Sequence, residues 1–391
     1  MKRILITGGP VHANLDSVKI ITNRFKGGLI ADLAGKFVKM SEETISSDRE
    51  VEVTYLCSKD SKQPPWDEFE NSILNPYCRV WHHKGLEDYM EQVLSLAPEM
   101  DAVILGAAVV NLIPAKKIEG KFPSHNYKPG DIIPIDFTIA PRVIDKVKEV
   151  NPKTHLFGFK LLSGVDNQEL IRAAYGVLLE SKAVTVFAND AKNLTQKYAV
   201  TKERGVHPLP DNNEIMKWIL DRIDEKYYKT IVRPENYKND VMKKAEKDIK
   251  NIIKENKNSF IKTDEGYIFG SAALKFGEPE CFGFVTTARG KNKIDDIAFV
   301  DTVKHDKKEV FCMTTKKASL NAPLFHYIFR QFSNVKKILH FHHQRNDLTT
   351  LKYATPGTDK DSDRYDIKNP SFNIEGHGCI LSYNENGELL I

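Results

Sequence analysis

The sequence predicts an α/β chain in two parts: a doubly wound parallel sheet domain over residues 1–228, a linker over 229–240, and an α+β domain over 241–391. Three observations carry this reading. Up to about residue 228, short apolar runs alternate with longer amphipathic stretches, the pattern of parallel strands joined by helices. A highly charged stretch, KTIVRPENYKNDVMKKAEKDIKNIIKEN, then breaks the alternation. After it come strand-like runs and tight loops, with one further clear helix in PLFHYIFRQF.

RILIT, VEVTYLC, DAVILGAAV, HLFGFKLL and AVTVFAND read as the strands of the first part, the first of them as an edge strand. LIADLAGKFV, RVIDKVKEV and NQELIRAAYGVLLE have helical spacing, the second through Val143, Ile144, Val147 and Val150. In the second part Val241, Ala245, Ile249, Ile252 and Ile253 mark a helix face, and YIFGSAAL, CFGFVTT, EVFCMTT and KKILHFHH read as strands. Ligands in parallel sheets gather at the carboxyl ends of strands. Gly8-Gly9, Ala107-Ala108 and Asn189-Asp190 fall there.

With 391 residues, 41% of them hydrophobic, the chain can build ordinary packed cores. Fifty-seven Lys and Arg against 53 Asp and Glu leave a formal +4, too weak a bias to argue for nucleic acid or an anionic membrane. No apolar run approaches a membrane span, and MKRILITGG enters a strand instead of a signal-peptide apolar region, so a cytoplasmic location is expected. Cys57, Cys78, Cys281, Cys312 and Cys379 are scattered without CxxC spacing, which fits reduced thiols.

ILITGGPVHANLDSVKIITNRFKGG places two glycine pairs between a strand and a helix. Such glycines let backbone N–H groups approach an anion at a helix start, and an ordinary turn would carry the same residues. ITGGP…DSVKIITN, LGAAVVNLIPAKKIEGK, NPKTHLFGFKLL and VTVFAND occur in that order, and together residues 2 to about 225 resemble phosphopantothenate–cysteine ligase, in its stand-alone form. The resemblance implies a Rossmann-like fold and a two-step reaction. The carboxylate of 4′-phosphopantothenate attacks the α-phosphate of CTP or ATP, held with Mg²⁺, and cysteine's amine then displaces the nucleotide. It gives Lys117 the role of neutralising the phosphoryl transition state and Asn23 a hydrogen bond to the acyl intermediate. Gly8, Gly9, Gly27 and Gly28 would bring backbone donors to phosphate. Ala107, Ala108, Phe159, Lys160, Asn189 and Asp190 would line the nucleotide site. A homodimer or larger homo-oligomer, built through this domain, is also implied.

Each residue taken singly has a plainer reading. Lys117 stands among Lys116 and Lys121, as a solvated loop would, and Asn23 could cap a helix. Two departures also stand out. The family's serine- and glycine-rich stretch after the Asn is Arg24, Phe25, Lys26, Gly27, Gly28, so Arg24 and Lys26 are the candidate phosphate ligands. Asn111, which the resemblance also places in the nucleotide pocket, stands where the family carries an acid, so that pocket loses a carboxylate.

In the second part His340 and His342 lie at i and i+2 of a strand, with His377 further on, a set that suits a tetrahedral zinc with one open position. GFVTTARG, KKASLNAPLFHYIF, VKKILHFHH and GHG follow the order of class II aldolase/adducin domains, and the resemblance covers about 238–391. It implies Zn²⁺ on His340, His342 and His377, stabilising an enediolate from a phosphorylated sugar. However, the family's acid/base carboxylate falls on Asn321, an amide that cannot abstract a proton. Leu320 replaces a phosphate-binding hydroxyl, and Arg289 interrupts the phosphate loop. The second part is therefore expected to bind zinc without aldolase chemistry. The alternatives are a zinc-dependent lyase or epimerase on a phosphorylated sugar-like substrate, and a retooled assembly module.

Overall fold

The structure, a computed structural model, describes residues 1–43, 50–64, 77–116, 118–234, 239–263, 266, 268–278, 281–290, 293, 295–364 and 367–391. The chain divides into two compact units, Met1–Ile223 and Asp224–Ile391.

In the first unit, β1 (Lys2–Gly8), β2 (Val51–Cys57), β3 (Cys78–His82), β4 (Ala102–Leu105), β5 (His155–Leu162), β6 (Thr185–Asp190), β7 (Asn193–Thr201) and β8 (Val206–Pro208) form one sheet. Its order is β8-β7-β6-β5-β4-β1-β2-β3. The first six strands are parallel, and β7 and β8 return antiparallel. The 3-2-1-4-5-6 core is the order of a Rossmann-like, doubly wound fold, with its switch point between β1 and β4. β1 is thus central, which corrects its reading as an edge strand. Ile4, Leu5, Ile6 and Thr7 are completely buried, and a strand covered on both faces satisfies its backbone through neighbours on both edges.

Successive strand residues point to opposite faces. Ile4, Ile6, Val53, Tyr55, Ile104, Phe157 and Phe187 pack with α1 (Gly28–Glu43) and with Ile215 and Ile219 of the last helix, Asn212–Asp224. Leu5, Leu56, Val103, Leu156 and Val186 pack on the other face with α2 (Leu86–Leu96), α3 (Ile144–Val150) and α4 (Asn167–Ser181), the Asn212–Asp224 helix being α5. Each fully buried Leu, Ile or Phe in these layers contributes about 1.5–3 kcal/mol.

The second unit holds β9 (Lys229–Val232), α6 (Asp240–Glu255), β10 (Ser271–Glu278), β11 (Cys281–Thr287), β12 (Ile297–Lys304), β13 (Glu309–Cys312) and α7 (Ala322–Gln331). β14 (Lys337–Phe341), β15 (Thr350–Leu351), α8 (Asp359–Ser362), β16 (Phe372–Ile374), β17 (Gly378–Tyr383) and β18 (Leu389–Leu390) follow. Its sheet runs β9-β13-β12-β11-β10-β14-β17-β16-β15, with β18 on β17. All neighbours are antiparallel except β9 with β13 and β15 with β16. β9 corrects the linker expected over 229–240, and the boundary falls at 223/224 instead of 228. The β-branched Thr230, Ile231 and Val232 pair with β13, which outweighs their charged surroundings.

α6 is capped by the Asn239 side chain, which accepts from the Met242 N–H at 2.8 Å. Met242, Ala245, Ile249 and Ile253 face the core, whereas Val241 is 52% exposed, so the stripe begins one residue later than the sequence suggests. Val285 lies in the core under α6, while its neighbour Phe284 meets Phe329 of α7 at 5.7 Å between ring centroids.

Candidate functional site

The end of β1 and the start of α1 make the first candidate site. Gly9 and Gly27 both have positive φ, 75° and 81°. A Cβ on Gly27 would fall 2.6 Å from the Gly9 Cα, so the two glycine turns lie on one another and only glycine fits. A Cβ on Gly8 would collide with the Tyr55 ring, and one on Gly106 with Ile30 of α1. The glycines therefore let α1 descend onto the ends of β1 and β4. Its first turn carries no acid, and the positive end of its dipole faces the crevice.

The other wall comes from the chain after β4. Pro10–Val11 pairs in parallel with Ala108–Val109, and the Gly106 N–H donates to the Thr7 carbonyl at 3.0 Å. The Thr7 hydroxyl lies 3.0 Å from the Tyr89 hydroxyl and 3.4 Å from the Ala107 N–H. Asn23 donates its side-chain N–H to the Ala108 carbonyl at 2.9 Å. Gly8, Gly9, Asn23, Gly27, Gly28, Ala107 and Ala108 are thereby brought to one crevice at the switch point. Arg24 and Lys26 are exposed on the loop above it, and the Lys26 carbonyl accepts from the Lys62 N–H at 2.9 Å. A cavity of about 400 Å³ opens at His12 and Asn14 of the same loop, against Lys84, Asp88, Ile113 and Pro114.

The remaining predicted residues stand elsewhere. Phe159 and Lys160 are half-buried on β5, Phe159 against Phe187 at 5.0 Å. Asn189, next to the end of β6, has a buried Oδ1 that meets no hydrogen-bond partner among the described residues. Asp190 is committed to backbone: its carboxylate accepts from Gly164 N–H at 3.0 Å and Lys192 N–H at 2.7 Å, and these bonds hold it below the usual carboxylate range. Asn111 is exposed, and its carbonyl accepts from the Ala140 N–H. Lys117 lies outside the described residues.

Asp16 opens the DSVKIITN segment, and motif reading gives it no role. Its side chain is fully buried, yet its carboxylate accepts from the N–H groups of Val18 at 2.7 Å, Lys19 at 2.6 Å and Phe122 at 3.0 Å, and pairs with the Lys19 ammonium at 3.0 Å. Those bonds, the Lys19 N–H foremost, depress its pKa well below the carboxylate range. The signal in the sequence is slight: an Asp opening a turn in LDSVK.

The second candidate site is made of side chains. His340 is the penultimate residue of β14, His342 follows the strand, and His377 stands just before β17. The ring centroids are 4.9 Å apart for His340–His342, 4.8 Å for His340–His377 and 4.7 Å for His342–His377. One nitrogen from each ring lies within 4.8 Å of the others. His340 Nδ1 is 3.1 Å from the Cys379 carbonyl, which fixes the proton on Nδ1 and leaves Nε2 as the ligand atom. The set fits a tetrahedral zinc after a modest contraction, since bonds of about 2.0–2.1 Å place ligand nitrogens about 3.4 Å apart. Zinc bound there would act as a Lewis acid on a carbonyl or hydroxyl oxygen.

Ser271 stands directly opposite His340 in the antiparallel register, so the two side chains share a face. Asn321, 7% exposed, donates its side-chain N–H to Ser271 Oγ at 3.1 Å. The amide therefore occupies the neighbourhood of the histidines. Leu320 packs beneath Gly357, and the Arg289 guanidinium reaches Thr230 at 3.4 Å.

No family model matches the chain. Over 193 residues, 49% of this chain and 42% of the relative, it is 28% identical to the coenzyme A biosynthesis bifunctional protein CoaBC of Thermococcus kodakarensis. Over 229 residues, 56% of this chain and 50% of the relative, it is 23% identical to the protein of that name from Methanocaldococcus jannaschii. The chain thus spans about half the length of these curated relatives. Among solved structures it is similar to the DNA/pantothenate metabolism flavoprotein from Streptococcus pneumoniae, with 21% identity over 57% of this chain and 98% of that one and a TM-score of 0.46. It is also similar to an L-fuculose 1-phosphate aldolase, with 13% identity over 36% of this chain and 76% of that one and a TM-score of 0.27. Both scores lie below 0.5, and the topology stands on the hydrogen-bonded strand order alone.

Proposed function

We propose that the first unit is a phosphopantothenate–cysteine ligase of coenzyme A biosynthesis, working through an acyl-nucleotidylate formed from CTP or ATP with Mg²⁺. The observation that carries this reading is the crevice where Gly9 and Gly27 interlock beside Ala107–Ala108 and Asn23. Two anions, a carboxylate and a nucleotide phosphate, must be brought into line there, and backbone donors with a helix dipole offset their repulsion. Arg24, Lys26 and Lys117 supply the positive side-chain charge. The relatives named for coenzyme A biosynthesis support the same reading.

The protein works in the cytoplasm as a homodimer or larger homo-oligomer. No helix among the described residues is long and apolar enough to cross a membrane, and Cys57, Cys78, Cys312 and Cys379 are free and buried. The hairpin of Leu112–Pro114 and Phe137–Ile139 leaves Leu112, Phe137 and Ile139 exposed at 43%, 44% and 72%, an apolar face suited to a second copy. In the second unit His340, His342 and His377 hold zinc without enolisation, because Asn321 offers no base. A zinc-dependent lyase or epimerase on a phosphorylated sugar-like substrate is the second reading, favoured by the histidine geometry alone.

The test is pyrophosphate release by the purified full chain with Mg²⁺, CTP or ATP, 4′-phosphopantothenate and cysteine. Release that needs all components is expected. Absence of release with both nucleotides and a panel of amino acids would remove the ligase.

A further inference from the structure

We propose that Asp16 is a positioning residue of the ligase site: its covered carboxylate anchors the loop that carries Asn23 to residues 120–122. The catalytic half of this inference rests on the ligase reading; the tie itself rests on geometry.

Two of the carboxylate's bonds are local. Val18 and Lys19 N–H groups close a turn on it, as an Asp in any surface loop can arrange. The bond from Phe122 N–H at 3.0 Å is different, because it crosses 106 residues of sequence. A second long-range bond accompanies it, from Ser17 N–H to the Gly120 carbonyl at 2.9 Å. The Lys19 ammonium that pairs with Asp16 also lies 5.8 Å from the Phe122 ring centroid, and Phe122 stacks on Tyr127 at 5.5 Å. A carboxylate covered by its own partners persists as a charge when its oxygens are all engaged, and here they are.

The loop then carries the constraint forward. Ala13–Asn14 pairs with Ile20–Ile21, and two residues later Asn23 donates to the Ala108 carbonyl. One end of this short rod is thus pinned to the crevice wall by Asn23, and the other to residues 120–122 by Asp16. Loss of the second pin would let the 120–122 stretch move independently of Asn23. Catalysis that needs Asn23 held in register with the crevice falls steeply with such a shift, while nucleotide affinity, set largely at the glycine turns, does not.

Asp16→Asn separates the local from the long-range role. An amide keeps one acceptor oxygen for the turn but presents an N–H₂ group where Phe122 needs an acceptor. In the full chain, hydrogen exchange at Phe122 is expected to rise at least tenfold in Asp16→Asn, while Val18 and Lys19 stay within threefold and β6 stays unchanged. The kcat for pyrophosphate release should fall at least tenfold with the nucleotide KM within threefold. Asp16→Ala, which removes the turn as well, should raise exchange at all three amides.

Unchanged exchange at Phe122 in Asp16→Asn would overturn the tie. Raised exchange with kcat within twofold of wild type would overturn the positioning role. A wild-type chain that releases no pyrophosphate would overturn the ligase reading and the catalytic half with it, and the exchange result would still decide the tie.

Discussion

The crevice of the first unit and the histidine cluster of the second are built on opposite terms. At Gly8, Gly9 and Gly27 the proposed functional atoms are backbone N–H groups, and the close approach of neighbouring atoms leaves no room for a side chain. At His340, His342 and His377 the proposed functional atoms are on the side chains, and the backbone matters by bringing the three rings together. A site of the first kind is lost when anything is added. A site of the second kind keeps its ligands while its chemistry changes, because a neighbour such as Asn321 decides what a bound metal can do.

The sharpest break of this contrast is Gly27→Val. A branched side chain at φ 81°, set on the Gly9 backbone, should lower pyrophosphate release more than a hundredfold in a chain whose circular dichroism is unchanged. Lys117→Ala should lower the same rate by about a hundredfold if its charge meets the transition state; a loss under about threefold would make it a solvated surface lysine.

In the second unit, His342→Ala should take zinc from about one per chain to none by elemental analysis, since two imidazoles rarely hold zinc tightly. The ligase rate should stay within twofold, and dihydroxyacetone-phosphate proton exchange should be absent in the wild type. Exchange that depends on His342 would put the lyase reading ahead.

A smaller effect follows from buried histidines. Burial pushes His326 down to about 3 and His83 down to about 4, against about 6.5 in an unfolded chain. Between those values the unfolded chain binds more protons, so the stability present above pH 6.5 is lost progressively as pH falls toward 3. His326→Gln should flatten the fall of the denaturant midpoint between pH 6 and pH 4. Smallest of all, Asn321→Ala should cost about 1 kcal/mol by removing its bond to Ser271, read from urea unfolding, with zinc content unchanged.

The apolar strands and the helices of the first unit were legible because Ile4–Ile6, Val103–Leu105 and Phe157 sit in continuous or alternating apolar runs. β3 was not, since its Arg79, Val80, Trp81 and His82 are all exposed at the sheet edge and carry no burial pattern. β9 hid within a charged stretch, and its strand state comes from pairing with residues 309–312, which local sequence cannot announce. Of the candidate site, the glycine pairs and histidines were legible as residue types. Asp16 and the Asn321–Ser271 bond were not, because each depends on a partner at least 50 residues away.

The central place of β1 also bears on the order of events at the ribosome. Ile4, Leu5 and Ile6 emerge long before the two strands that flank them, Val51–Cys57 and Ala102–Leu105. At about 5–20 residues per second, the nascent segment waits several seconds for its first neighbour and about twice as long for its second. Throughout that interval it is an apolar ribbon with both edges bare, so a strand that ends buried between two neighbours is open to wrong pairing until both have been made.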